Sequence, residues 1–185
     1  MPQALLDYLA PKKILLLGFG REGRSTYQYI RRHFPEKELS IADQNPVTLE
    51  DAHVTLHCGA HYLEAINRYD LVIKSPGITV RDLQISSSVE MTCQLDLFLR
   101  FARCRVVGIT GTKGKTTTST LIYSILQAAG IESCLIGNIG VPVFEDIEAA
   151  ETMTAVVENV LPSVGIHLLL AACGRADQPV SRASG

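Results

Sequence analysis

Gly108-Ile109-Thr110-Gly111-Thr112-Lys113-Gly114-Lys115-Thr116-Thr117-Thr118 is the stretch that decides how the rest of the chain is read. The apolar run Val106-Val107-Gly108-Ile109 leads into it like a short buried strand. A helical period leads out, with Leu121, Ile122, Ile125, Leu126 and Ala129 on one face and Gly130 as a stop. Strand, glycine loop, Gly-Lys-Thr and helix is the layout of a phosphate-binding loop. Its backbone N–H groups face an anion, Lys115 reaches outer phosphates and the Thr116 hydroxyl can bind Mg2+. One place departs from the usual pattern: the expected first glycine is Ile109, with Gly108 and Gly111 on either side. A plain glycine turn with a solvated lysine is the simpler reading. Three consecutive threonines argue against it, because β-branched residues start helices poorly unless their hydroxyls are used.

The whole chain sets modest bounds. Its 185 residues allow one large domain or one and a half ordinary ones. A hydrophobic content of 46% suffices for a core, and a formal charge of −2 gives no electrostatic reason to expect nucleic acid or membrane. Cys58, Cys93, Cys104, Cys134 and Cys173 are odd in number and lack a Cys-x-x-Cys pair, which reads as reduced thiols. Neither a signal-type start nor an apolar run long enough for a membrane span is visible, so a soluble, cytoplasmic protein is expected.

A second glycine motif lies near the start. Ile14-Leu15-Leu16-Leu17 runs into Gly18-Phe19-Gly20-Arg21-Glu22-Gly23, and a helical segment follows from about Arg24 to Phe34. A full G-x-G-x-x-G between strand and helix lets backbone approach a pyrophosphate. About 20 residues on, where a ribose-binding carboxylate belongs, Asp43 ends the strand-like run Leu39-Ser40-Ile41-Ala42. A solvated strand-end acid is the plain alternative for Asp43.

Short strands and helices continue to alternate. Val54 to His57 and Asp70 to Ile73 look like strands, and His61 to Arg68 like a short helix. His53, His57 and His61 are four apart, but His57 sits in a β-type run and Gly59 interrupts, so no metal site is expected there. Ser75-Pro76-Gly77-Ile78 follows the fourth strand, at the end where open α/β sheets bind ligands. Ser86 to Ser88 read as loop, and Leu95 to Ala102 as an apolar helix leading to a domain boundary near Cys104. Beyond the central loop and helix, strand-like Cys134-Leu135-Ile136 leads to the turn Gly137-Asn138-Ile139-Gly140. Ala155-Val156-Val157-Glu158 then reads as a buried strand ending in an acid, a common Mg2+ ligand beside phosphate loops.

In this order and spacing the motifs resemble the Mur ligase family. Gly18 to Ser25, Ser75 to Ile78, Gly108 to Thr118, Gly137 to Gly140 and Val156 to Glu158 carry the likeness, over about residues 12–158. The family's Thr-Gly-Thr-x-Gly-Lys-Thr loop accounts for Ile109, although Lys113 stands where asparagine is commoner. The Ser-Pro-Gly-Ile turn points to the branch joining D-glutamate to UDP-N-acetylmuramoyl-L-alanine. The resemblance implies an α/β protein: a Rossmann-like N-terminal domain (1–104), then the truncated start of a P-loop ATPase domain (105–158). It implies substrate contacts at Gly18, Phe19, Gly20, Arg21, Glu22, Gly23, Asp43, Gln44, Ser75, Pro76, Gly77 and Asn138. ATP would meet Gly111, Thr112, Lys113, Gly114, Lys115, Thr116 and Thr117, with Lys115 catalytic and Mg2+ on Thr116 and Glu158. Gln44 and Asn45 stand where the family often has an arginine. ATP would phosphorylate the substrate carboxylate, and an amine would then attack the acyl-phosphate. A monomer is expected. An NAD-type oxidoreductase and a non-catalytic nucleotide-binding remnant are the competing readings.

The likeness stops at Glu158. Residues 159–185 are expected to be an out-of-frame tail produced by one extra nucleotide. Asn159 to His167 can be written with the allowed codons AAT GTC CTG CCA TCA GTT GGA ATA CAT. Without their first letter they read Met-Ser-Cys-His-Gln-Leu-Glu-Tyr, the kind of segment the family places after Val-Val-Glu. Such a tail should be poorly ordered or arbitrarily packed. The second sheet would keep three strands and an exposed apolar edge, and the chain alone should be inactive.

Overall fold

The computed structural model describes residues 2–111, 113–137, 142–144, 147, 152–158 and 167–172. The elements run α1 (Pro2–Leu9), β1 (Ile14–Leu17), α2 (Arg21–His33), β2 (Leu39–Asp43), β3 (Val54–Cys58), a 3₁₀ helix (Tyr62–Arg68), β4 (Leu71–Lys74) and β5 (Glu90–Thr92). They continue with α3 (Gln94–Phe101), β6 (Arg105–Thr110), α4 (Lys115–Ala128), β7 (Ser133–Gly137), β8 (Thr154–Glu158) and β9 (His167–Ala172). Among the described residues no helix is long and apolar enough to cross a membrane.

The first sheet is parallel, in the order β3-β2-β1-β4-β5. Its central strand is apolar at every position because both faces are covered, as parallel sheets require. Ile14 and Leu16 join a cluster with Ile30 of α2 and Phe98 of α3, while Leu15 and Leu17 pack with Ala65 and Ile66 of the 3₁₀ helix. All four side chains are fully buried, each stabilising by about 1.5–3 kcal/mol. The strand order reverses direction between β1 and β4, so their C-terminal ends open a crevice there.

The second sheet has the order β7-β8-β6-β9. β6, β7 and β8 are parallel, and β9 runs antiparallel along β6 from Thr110↔His167 to Arg105↔Ala172. The three-strand sheet with an exposed edge is therefore corrected: β9 occupies the outer edge of β6. An open edge presents unpaired N–H and C=O groups, and an apolar run following β8 satisfies them.

Both sheets share one hydrophobic cluster. Val106, Ile136, Phe144 and Ala155 belong to the same buried group as Leu5, Leu9 and Tyr29. The Tyr29 and Phe144 rings meet at 4.7 Å.

Three details differ from the sequence reading. α1 and β5 were not expected. α1 buries Leu5 and Leu9, one turn apart, and its Tyr8 ring meets Phe101 of α3 at 5.1 Å. The apolar face expected to bury α4 does so only in part: Ile122 and Leu126 are half-buried, Leu121 and Ile125 are each 59% exposed, and Ser119 is the helix's buried residue. The periodicity groups those side chains correctly, but the sheet lies under the Ser119 side. Gly130 does end the helix, with φ +69°.

Candidate functional site

Two glycine loops build two candidate sites. In the first, each glycine has its own steric role. Gly18 has φ +93°, and a Cβ there would lie 2.8 Å from Ser75 Oγ and from Ile78 Cδ1. A Cβ on Gly23 would strike the Gly18 carbonyl oxygen at 2.0 Å, so only glycine lets α2 start this close to the loop. Gly20 is different: a Cβ there would meet nothing within 4 Å. The loop is thus closed on the protein side and open on the side where a ligand's phosphates would approach the start of α2.

Asp43 ends β2 and holds this loop. Its Oδ2 accepts the Phe19 N–H at 2.7 Å and its Oδ1 the Asn45 N–H at 2.8 Å. The Phe19 ring carries the Arg24 guanidinium at 4.8 Å. Arg21, Gln44, Pro76 and Gly77 are exposed around the crevice. Its floor is lined by Glu22, Thr26, Ile73, Lys74, Ser75 and Gln94.

Four of those floor residues, Thr26, Ile73, Lys74 and Gln94, were not among the site residues read from the sequence. Gln94 is 2% exposed and donates to the Glu22 carbonyl at 3.0 Å and to Thr26 Oγ1 at 2.7 Å, which leaves its Oε1 buried without a partner. Burial pushes the Glu22 carboxyl up, and the charge of Lys74 opposes that shift.

The second site joins β6 to α4. Gly114 is the N-cap of α4 with φ +75°, a left-handed conformation that suits glycine. Lys115 Nζ donates to the Gly111 carbonyl at 2.6 Å, folding the lysine back over its own loop. Thr116 Oγ1 donates toward both carboxylate oxygens of Glu158, at 3.1 and 3.3 Å. Glu158 is 3% exposed and sits beside Ile109 in the β6–β8 register. The end of β7 makes room for it: a Cβ on Gly137, where φ is +115°, would lie 2.4 Å from the Glu158 carbonyl oxygen. Lys113 and Thr117 are exposed at the helix start. Thr112 and Asn138 lie outside the described residues.

Comparison with known proteins decides the family. The N-terminal domain of MurD-like Mur ligases matches residues 12–95, and the Mur ligase middle domain matches residues 109–175. The chain belongs to the Mur ligase family. A UDP-N-acetylmuramoylalanine--D-glutamate ligase of Clostridium botulinum (strain Hall) is 30% identical over 152 residues. That match covers 77% of this chain and 33% of the relative. A UDP-N-acetylmuramoyl-L-alanine--L-glutamate ligase of Xanthomonas euvesicatoria is 34% identical over 155 residues, covering 76% and 33%. This Mur ligase chain spans about a third of the length of the curated relatives it matches.

The three histidines go separate ways. His53 contacts Glu38 at 2.9 Å, His57 contacts Tyr69 at 2.8 Å, and His61 contacts Glu64 at 2.7 Å.

Proposed function

We propose that this chain is the N-terminal part of an ATP-dependent ligase that forms an amide bond between UDP-N-acetylmuramoyl-L-alanine and D-glutamate. The observation that carries the reading is the meeting of Thr116 and Glu158 at the glycine loop, 3.1 Å apart. A hydroxyl and a buried carboxylate form an all-oxygen donor pair, the kind Mg2+ takes together with phosphate oxygens. The residues present therefore fit the ion. Bound there, it would neutralise charge on the transferred phosphoryl group.

The rest of the mechanism uses this chain's own groups. Loop N–H groups from Gly111 to Thr117 would orient the ATP phosphates. Lys115, released from the Gly111 carbonyl, would follow the charge developing on the transferred phosphoryl group. The γ-phosphoryl group would pass to the substrate carboxylate with loss of ADP. The amine would then attack that acyl-phosphate and expel inorganic phosphate. In the first domain, the open side of Gly20 would admit the diphosphate, with Asp43 and Gln44 toward the uridine end and Ser75 to Gly77 along the crevice. Asn138 would contact the substrate's phosphate or sugar.

A second reading concerns the incoming amino acid. The Xanthomonas relative, at 34% identity, is named for L-glutamate. The Ser75–Ile78 turn supports D-glutamate, and both readings share the nucleotide substrate.

Titrating the purified 185-residue chain with UDP-N-acetylmuramoyl-L-alanine, Mg·ATP and NAD tests the proposal. Binding of the first two is expected. Lys115→Ala should weaken Mg·ATP by about 1.5–3 kcal/mol, the scale of a charge-assisted hydrogen bond. NAD affinity without affinity for the UDP compound would overturn the assignment, as would equal Mg·ATP binding by wild type and Lys115→Ala.

A further inference from the structure

Lys74 is the last residue of β4 and stands in register with Leu17 of β1, on the floor of the crevice. Its ammonium group donates to the Ser75 carbonyl at 3.0 Å and the Ile78 carbonyl at 2.9 Å, with the Pro76 carbonyl at 3.5 Å. The carbonyls of one four-residue turn thus converge on a single cation. Oxygens gathered this way repel one another unless a positive charge sits between them. The turn's own backbone bond, from Ile78 N–H to the Ser75 carbonyl, is a long 3.3 Å.

The turn is also the wall against which the first glycine loop rests. The Ser75 N–H bonds the Leu17 carbonyl at 2.8 Å, and Ser75 Oγ lies 3.4 Å from the Gly18 carbonyl oxygen. Ile78 Cδ1 and Ser75 Oγ fill the space beside Gly18 so tightly that a Cβ would not fit. An outward shift of Ser75 to Ile78 therefore loosens Gly18, and with it the loop that leads to Gly20 and Gly23.

We propose that Lys74 is a positioning residue for the nucleotide crevice: its charge gathers the Ser75–Ile78 turn and holds it against Gly18 before the diphosphate arrives. The inference rests on the reading of this crevice as the UDP-substrate site. Lys74 acts through the turn and makes no contact with the ligand. Its charge also faces Glu22 across the crevice floor, so its loss leaves a carboxylate there unopposed.

The test compares wild type, Lys74→Met and Lys74→Arg in the 185-residue chain. Titration with UDP-N-acetylmuramoyl-L-alanine is paired with Mg·ATP as an internal control and with amide hydrogen exchange at Gly18 and Ile78. Lys74→Met should weaken the UDP compound at least tenfold and speed exchange at both amides. Mg·ATP binding should stay unchanged, and Lys74→Arg should retain UDP affinity within about threefold, because a guanidinium still serves several carbonyls. Unchanged UDP affinity in Lys74→Met overturns the proposal. So does a loss of affinity without faster exchange, which would mean direct contact by the ammonium group. If wild type binds no UDP compound, the functional reading fails, and exchange alone then decides whether Lys74 holds the turn. If Lys74→Met does not fold, Lys74→Gln takes its place under the same criteria.

Discussion

The first glycine loop offers a paired perturbation in which two neighbouring glycines should behave in opposite ways. In Gly23→Ala the new methyl would lie 2.0 Å from the Gly18 carbonyl oxygen. Ordinary contact needs about 3.5 Å, so the start of α2 must retreat by about 1.5 Å from a backbone atom. Overpacking of this kind costs up to about 3 kcal/mol, and the better helix propensity of alanine returns about 1 kcal/mol. A net loss of about 2 kcal/mol is expected, or roughly 4–8 °C in Tm for a chain of this size. In Gly20→Ala the methyl meets nothing, and φ is −73°, which alanine accepts. A stiffer unfolded chain adds about 0.4–1 kcal/mol, while alanine is a poorer N-cap by a similar amount. Stability should therefore stay within about 0.5 kcal/mol of wild type. The same methyl stands where the diphosphate is proposed to approach, so UDP-N-acetylmuramoyl-L-alanine should bind at least tenfold more weakly, about 1.4 kcal/mol. Thermal unfolding and calorimetric titration of both variants read the two effects separately. Equal destabilisation by the two substitutions, or wild-type UDP affinity in Gly20→Ala, would refute the steric assignment.

Three further outcomes are expected. The Tyr8 hydroxyl, with Arg100 and Lys12, holds the Glu90 carboxyl down from 4.5 to about 2 against the opposing effect of burial. A depressed acid stabilises above its unfolded value, so this contribution should vanish as pH falls from 4.5 to about 2; Glu90→Gln should flatten that limb of an acid titration, modestly, because a side chain 36% exposed is screened by solvent. Phe144→Ala should cost about 3 kcal/mol and speed amide exchange in α2 around Tyr29; an effect confined to the second sheet would show that the shared cluster does not couple the two lobes. In the coding DNA, removing one nucleotide near codon 159 should open a frame reading Met-Ser-Cys-His-Gln-Leu-Glu-Tyr, and a gene without that frame removes the proposed shift.

Much of the fold was legible because buried parallel strands are written as short, unbroken apolar runs. β1, β2, β4, β6 and β8 were visible in this way, each to within a residue or two. β5 was hidden, since three residues beginning with Glu90 carry no period. α1 left a faint signal in Leu5 and Leu9, one helical turn apart. The glycine loops were legible because backbone sterics demand glycine at Gly18 and Gly23 whatever surrounds them. Lys74 and Gln94 were not legible. Lys74 acts on main-chain oxygens, which every residue carries, and Gln94 reaches partners that lie in α2, far along the chain. Periodicity likewise tells which side chains of α4 share a face and says nothing of what covers it.

The tail illustrates how far backbone physics can carry a segment without help from its side chains. β9 pairs with β6 across six register positions, from His167 to Ala172. Main-chain pairing at an open edge is tolerant of sequence, and Leu168, Leu169, Leu170, Ala171 and Ala172 present no charge to oppose it. Direction is the more telling property. β8 ends at the same end of the sheet as β6, so a strand reached through the short 159–166 segment must run back the other way. A parallel continuation would need a crossover of about a dozen residues or more. The middle-domain match continues to residue 175, which corrects the expectation that the likeness stops at Glu158, and the pairing of β9 with β6 corrects the expectation of a poorly ordered tail over residues 167–172. The antiparallel strand is nevertheless what an apolar run produces on meeting a free edge with too little chain to cross the sheet. That geometry alone requires no inherited register, whereas the in-frame family match to residue 175 counts against the frame shift, and the coding DNA decides between them.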